Sequence, residues 1–294
     1  MDIVIAGSRG FIGSALVPAL RAQGHHVRRL VRGTPSAPDD VEWDPDAGRL
    51  DPTALAGADA VINLAGACVS DRPLTRARKR TVLLSRTRTA GLLATTMAGL
   101  ETGPQVLLQA SGIGAYGDRG ADLLDEHEPL GTTYFAGVVR QWEASTLPAV
   151  EAGVRVAHLR SGIVLAPRGG ALGRLLPLVR AGLGGPLGSG RQYWSWITLP
   201  DEVRAIIHLL DAPVQGPVNM VAAADTNADL TRALAHAMHR PAALRAPAWA
   251  VRIALGDFAP EILGSIRAVP RALTDSGYVP VHPDLAAAVR YVTA

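Results

Sequence analysis

A chain of 294 residues is long enough to bury one large α/β core, or one domain with a smaller lobe. Its 48% hydrophobic and 19% charged residues exclude a disordered chain, and a net charge of +3 goes with no nucleic-acid surface: the one basic run, TRARKR (Thr75 to Arg80), has no interleaved aromatics and reads as a solvated helix face. The single cysteine, Cys68, excludes an internal disulfide, no apolar run is long enough to span a membrane, and no signal-peptide pattern precedes the first strand residues, so the expected home is a reducing cytoplasm.

In chain order, DIVIAG is a short apolar strand that ends in glycine, and FIGSALVPALRAQG continues it with apolar residues at helical spacing and a glycine stop. HHVRRLVR and VEWD read as the next two strands, and ADAVINLAG as a buried one. A long helical pattern then covers about Thr75 to Leu100. PQVLLQAS is a strand, TTYFAGVVRQWEASTLPAV a helix, and VRVAHLRSGIVL a further strand. Continuous apolar strands alternating with helices predict a doubly wound parallel α/β sheet of the Rossmann type. After about Leu165 the chain turns glycine-rich and aromatic, LPDEVRAIIHLLDAP follows as a clear helix, and short helices broken by proline run from Asn219 onward. The expected division is a nucleotide-binding domain over 1–165, joined by a return segment at about 197–218. A smaller substrate-side lobe takes 166–196 and 219–294.

The turn IAGSRGFIGSAL joins the first strand to the first helix, and its free N–H groups at the positive end of a helix dipole suit a pyrophosphate. Gly7 permits the tight turn, Gly10 lets phosphate approach the backbone, and Gly13 lets the helix pack closely on the strand. Ser8, Arg9, Phe11 and Ile12 complete the cradle. Arg32 stands at the end of the second strand, where an acid would hold the ribose hydroxyls of NAD, and Arg9 adds a second guanidinium. Two cations and no carboxylate point to the 2′-phosphate of NADP(H).

At nearly full length the chain resembles the extended short-chain dehydrogenase/reductase superfamily. More closely, it resembles the atypical branch of epimerase-family, sugar-nucleotide-epimerase-like proteins. The stretches that carry the resemblance are AGSRGFIGSAL, NLAGA, SRTRTAGLL, ASGIGAYG, QWEA, LRSGIVLAPRGGAL and GLGGPLGSGRQYWSWI, and the tail from Gly256 resembles the small C-terminal domain of that branch. The resemblance implies that Leu64, Ala65 and Gly66 line the adenine–ribose side of the cofactor. It places Ser111, Gly162, Ile163 and Val164 near the nicotinamide. Ordinary members of the superfamily use a Tyr-x-x-x-Lys pair in which the tyrosine moves the proton. This chain has one lysine, Lys79, no tyrosine lies four residues before it, and aligning QWEA puts Phe135 and Val139 at the pair's positions.

The remaining catalytic candidates are Ser111 and Tyr116 on one loop, with Glu126 and Glu143 as further proton carriers. Gln192, Trp194 and Trp196 either line a substrate pocket or pack the lobe against the sheet, and strand alternation puts Tyr193 on the opposite face from the two tryptophans. Arg86 would meet an anionic substrate or pair with a surface acid. The histidines show no metal-ligand spacing, and no G-x-S-x-G elbow is present, so neither a metal nor a serine nucleophile is expected. The sequence therefore describes an NADP(H)-binding protein, monomeric or homodimeric, acting as an oxidoreductase or epimerase-type enzyme on a small molecule. The alternative is a redox-sensing or regulatory module that binds NADP(H) without turnover.

Overall fold

A computed structural model describes residues 1–294, the side chain of Arg174 excepted. The apolar run β1 (Asp2–Ala6) leads through the glycine turn into α1 (Gly13–Ala22), followed by β2 (His26–Val31), β3 (Asp40–Glu42) and β4 (Ala60–Asn63). Next come α2 (Arg76–Ala98), β5 (Val106–Gly112), a 3-10 turn at Ile113–Ala115, β6 (Leu123–Leu124), α3 (Tyr134–Ala144), α4 (Leu147–Glu151) and β7 (Arg155–Ser161). The second half holds β8 (Ile163–Leu165), α5 (Leu172–Arg180), β9 (Tyr193–Thr198), α6 (Leu199–Asp211), β10 (Gly216–Met220), β11 (Ala223–Thr226) and α7 (Asn227–Ala237). It ends with α8 (Ala248–Leu255), α9 (Ala259–Leu263), β12 (Arg267–Ala268), α10 (Arg271–Asp275) and α11 (Leu285–Thr293). Several helices start on a side chain that accepts a backbone N–H of the first turn. Thr75 does so for α2, Thr133 for α3, Thr198 for α6, Thr226 for α7 and Asp284 for α11.

Seven parallel strands form the central sheet in the order β10-β7-β5-β4-β1-β2-β3, so the expected doubly wound Rossmann architecture is present. One face packs α1 and α6 around Ile3, Ile5, Leu16, Leu20, Ile206 and Leu209, and the other packs α2 around Val4, Val61, Leu93 and Met97. Both faces are covered, which is why the strands read as continuous apolar runs.

Three stretches differ from the sequence reading. VRVAHLRSGIVL is two strands, and they part at Gly162, where an ideal β-carbon would lie 2.7 Å from the Ser195 carbonyl oxygen. β7 stays in the main sheet, while β8 joins β9 and β11 in a second sheet. TTYFAGVVRQWEASTLPAV is likewise two helices, because α3 ends at Ala144 ahead of Pro148. GPVNM, divided between the return segment and the start of the small lobe, is one strand, β10, the seventh of the sheet. The second sheet, α5, α7 and α11 enclose their own core of Leu172, Leu176, Trp196, Leu230, Leu234 and Val292.

Candidate functional site

The strand order reverses between β1 and β4, and at such a switch point the loops leaving the strands' carboxyl ends open a crevice. Gly7 leaves β1 at φ +83°, and an ideal β-carbon on it would lie 2.6 Å from the Leu64 carbonyl carbon. Only glycine lets the turn and the loop after β4 approach this closely. A β-carbon on Gly13 would meet the Gly7 carbonyl oxygen at 2.3 Å, so the start of α1 is pressed onto the turn. Gly10 differs: its N–H donates to the Gly7 carbonyl at 2.9 Å, and a β-carbon there would touch that same oxygen alone, at 3.2 Å. The N–H groups of Phe11 and Ile12 have no acceptor among the described residues, which leaves donors at the N-terminus of α1 for an anion.

A cleft of about 900 Å³ opens beside this turn. Gly7, Ser8, Arg9, Gly10, Arg32, Leu64, Ala65 and Gly66 line it. The sequence reading missed its other wall, formed by Trp43, Pro45 and Asp46 after β3 and by Arg80, Ser85 and Arg88 on α2. Four arginines and one carboxylate therefore face the cleft, a charge balance that suits phosphates. Arg88 spans it to Asp46 at 2.8 Å. Arg80 belongs to the basic run read as a solvated face, and the missed signal was its place one helical turn before Leu84 on the cleft side. Arg9 donates to Ser36 at 3.0 Å and lies 3.6 Å from the buried Asp40, whose charge Arg29 also meets at 2.7 Å. Phe11 turns away from the cleft wall and packs under Gly169 and Gly170, and Ile12 packs into the sheet core.

Arg86 is partly exposed and meets no acid among the described residues. It donates to the carbonyls of Ala67 and Val82 and lies over the Trp142 ring at 4.9 Å, directly behind Gly66. Burial without a counter-ion pulls its pKa down to about 10.

Ser111 stands at the carboxyl end of β5, the strand next to β4. Its hydroxyl donates to Glu143 at 2.7 Å, and Arg160 grips the same carboxylate with two bonds of 2.8 Å. Burial alone would raise the Glu143 pKa, but the Arg160 bonds outweigh it and hold the carboxyl below its ordinary value. Glu143 is thus a buried anion tied to a cation, not the proton carrier the sequence offered. Tyr116 does not face the crevice either. Its ring is 0% exposed, and its hydroxyl donates to Asn219 at 2.7 Å while accepting from Arg160 at 3.1 Å. Glu126 accepts the backbone N–H groups of Asn219 and Ala272 and is structural as well.

Of the two roles open to Gln192, Trp194 and Trp196, the contacts of these side chains are those of packing. Trp196 is 0% exposed and donates to Asp225, Trp194 donates to the Ile262 carbonyl, and both lie in the second core. Gln192 donates to the Leu187 carbonyl and is buried. Tyr193 does take the opposite face, under Arg267. Ile163 and Val164 pair with Trp196 and Ile197 of β9, Gly162 packs on the Ser195 carbonyl, and none of the three lines the cleft described above. Among the described residues no group of three His, Cys, Asp or Glu side chains is arranged to hold a metal, and no helix is long and apolar enough to cross a membrane.

Residues 3–224 match the model of the NAD dependent epimerase/dehydratase family. The chain belongs to that family. Residues 246–292 of this family member match a further domain of unknown function. An epimerase family protein of Mycobacterium bovis is 42% identical over 99% of this chain and 97% of its own length. The cattle epimerase family protein SDR39U1 is 37% identical over the whole of both chains. Among solved structures, human SDR39U1 (isoform 2) with NADPH is 32% identical with a TM-score of 0.92, covering 100% of this chain and 99% of that one. These matches bear out the resemblance to the atypical epimerase-family branch.

Proposed function

We propose that the cleft binds NADP(H) and that the protein is an oxidoreductase or epimerase-type enzyme acting on a small molecule. The observation that carries this reading is the glycine turn with free N–H donors at α1, facing a cleft with four arginines and no acid at the end of β2. The residues fit the cofactor. The Phe11 and Ile12 N–H groups would meet the pyrophosphate, Arg32 and Arg9 the 2′-phosphate, and the pocket's Leu64 to Gly66 edge the adenosine. Bound there, the dinucleotide supplies a hydride donor or acceptor. The likeness to a human relative solved with NADPH supports the same reading. The exposed, unpaired thiol of Cys68 suits a reducing compartment, for which we take the cytoplasm. Calorimetric titration tests the cofactor assignment: NADPH should bind at least ~10-fold tighter than NADH, and equal affinities would overturn it.

A second reading, a non-catalytic NADP(H) sensor, is favoured by Phe135 and Val139 at the dyad positions. Val139 is buried and Phe135 is stacked edge-on against Tyr134 and Phe258, so neither position holds a proton carrier.

A further inference from the structure

The small C-terminal region docks directly over the end of β5. Phe258 meets Phe135 with ring centroids 6.1 Å apart, Asp257 pairs with Lys79 of α2 at 2.6 Å, and the Ser265 N–H donates to Asp118 at 3.2 Å. These contacts carry α9 across the turn that follows Ser111. An ideal β-carbon on Gly114 would lie 3.3 Å from Glu261 Oε2 and 3.4 Å from Phe135 Cβ. Glu261 and Phe135 are therefore neighbours over a glycine that leaves room for the carboxylate. Glu261 is partly exposed and has no hydrogen-bond or ion-pair partner among the described residues. This carboxyl stands beside Phe135, at the turn that leaves the carboxyl end of β5, and its partial desolvation favours the protonated form. Carboxyls perturbed in this way cluster at functional positions.

We propose that Glu261, supplied by the C-terminal region, is the general acid and base of this protein, moving a proton at the oxygen of a small carbonyl or alcohol substrate. The inference rests on the cleft binding NADP(H). When hydride adds to a carbonyl carbon, the C=O π bond breaks and its electron pair stays on oxygen. The Glu261 O–H bond breaks, a substrate O–H bond forms, and the carboxylate regains its proton from water. In the reverse direction the carboxylate takes the alcohol proton as the hydride leaves to the oxidised nicotinamide. Burial pushes the Glu261 carboxyl up to about 7, where one group can both give and accept a proton at neutral pH. Other ionisable groups on the surrounding elements are engaged: Asp257 with Lys79, Asp118 with the N–H groups of Gly120 and Ser265, and the Tyr134 hydroxyl with the Lys79 carbonyl.

The test uses the charge of the oxidised nicotinamide and needs no substrate. A unit positive charge within several ångströms of Glu261 should lower its pKa by about one pH unit relative to the NADPH complex. Carbon-13 NMR of the glutamate carboxyls, assigned with Glu261→Gln, follows the titration in both complexes of the full-length protein. Calorimetry at pH 7 in buffers of different ionisation enthalpy reads the same linkage, as protons released when NADP⁺ binds to the wild type but not to Glu261→Gln. A neutral-range pKa that falls in the NADP⁺ complex, with proton release lost in the variant, is the expected result. An identical Glu261 titration in both complexes, in a wild type that binds both cofactors, would overturn the proposal alone. A wild type that binds neither would overturn the cofactor reading and this inference with it. The wild-type titration stands even if Glu261→Gln fails to fold.

Discussion

The three glycines of the first turn should respond to substitution in two different ways. Gly7→Ala forces an L residue to φ +83° and drives its β-carbon to 2.6 Å from backbone, and Gly13→Ala drives a β-carbon to 2.3 Å from the Gly7 carbonyl oxygen. Left-handed strain of ~1–2 kcal/mol and overpacking of ~1–3 kcal/mol set the scale, so Gly7→Ala should cost roughly 2–5 kcal/mol of stability. Gly10→Val should cost only about 1 kcal/mol, since its β-carbon meets one oxygen at 3.2 Å and the rest of its surroundings is cleft. That open side is where the pyrophosphate would approach in the proposed cofactor site. Displacing it from two charge-assisted bonds, each worth about 1.5–3 kcal/mol, should weaken NADPH a hundredfold or more. Chemical denaturation and NADPH titration on the same three variants measure both effects. A folded Gly10→Val that binds NADPH normally would refute the phosphate assignment, and an undisturbed Gly7→Ala would refute the packing argument.

Arg32→Ala should weaken NADPH about tenfold and leave NADH nearly unchanged, and parallel titrations decide it. Tyr116→Phe should lower unfolding stability by about 1–3 kcal/mol without changing NADPH affinity, because it strips buried Asn219 and Arg160 of a partner; an unchanged stability would mean those bonds carry nothing. Glu202, fully enclosed and bonded only through Ser161 at 2.6 Å, has its carboxyl pushed up to about 7 by burial. Its folded pKa lies above the unfolded value of about 4.5, so its contribution to stability is complete below that value and is lost as pH rises towards 7. Glu202→Gln should remove this loss, gaining at most about 3 kcal/mol on wild type at pH 8 and little at pH 4, and equal pH slopes of the two proteins would contradict it.

The fold was legible where local chemistry and tertiary demand agree. The apolar run of β1, the glycines after it and the helical spacing of α1 each state one structure. Errors fell where long-range contact decides. Gly162 sits in a run that reads as one strand, and only the close approach of the Ser195 carbonyl makes it a divide between two sheets. The cleft wall from the glycine turn was legible because a single segment builds it. The facing wall was not, since Trp43 and Asp46 come from the loop after β3 and Arg88 from α2, with no motif to join the two segments. Trp194 and Trp196 looked available because aromatic clusters serve pockets and cores alike, and their indole N–H groups find acceptors inside the lobe. Glu261 left no sequence signal, as one glutamate in a short helix acquires meaning only from the glycine it faces.

Ser111 shows why, in the proposed reaction, the proton would come from elsewhere. Its partner Glu143 is a carboxylate kept ionised by Arg160, so it can only accept, and the Ser111 hydrogen is committed to it at 2.7 Å. The oxygen that remains offers lone pairs, which suit a substrate hydroxyl but not a carbonyl oxygen gaining negative charge. Freeing the hydroxyl would leave Glu143 with Arg160 alone in a buried setting, at a cost of about 1.5–3 kcal/mol for a hydrogen bond to a charged group. Tyr116 is saturated in the same network, and Val139 has no room for a lysine charge. The Rossmann half of the chain thus fixes and orients without holding a mobile proton near the end of β5. The carboxyl on that edge with no internal commitment among the described residues is carried by the C-terminal region, which ties any chemistry here to the docking of α9.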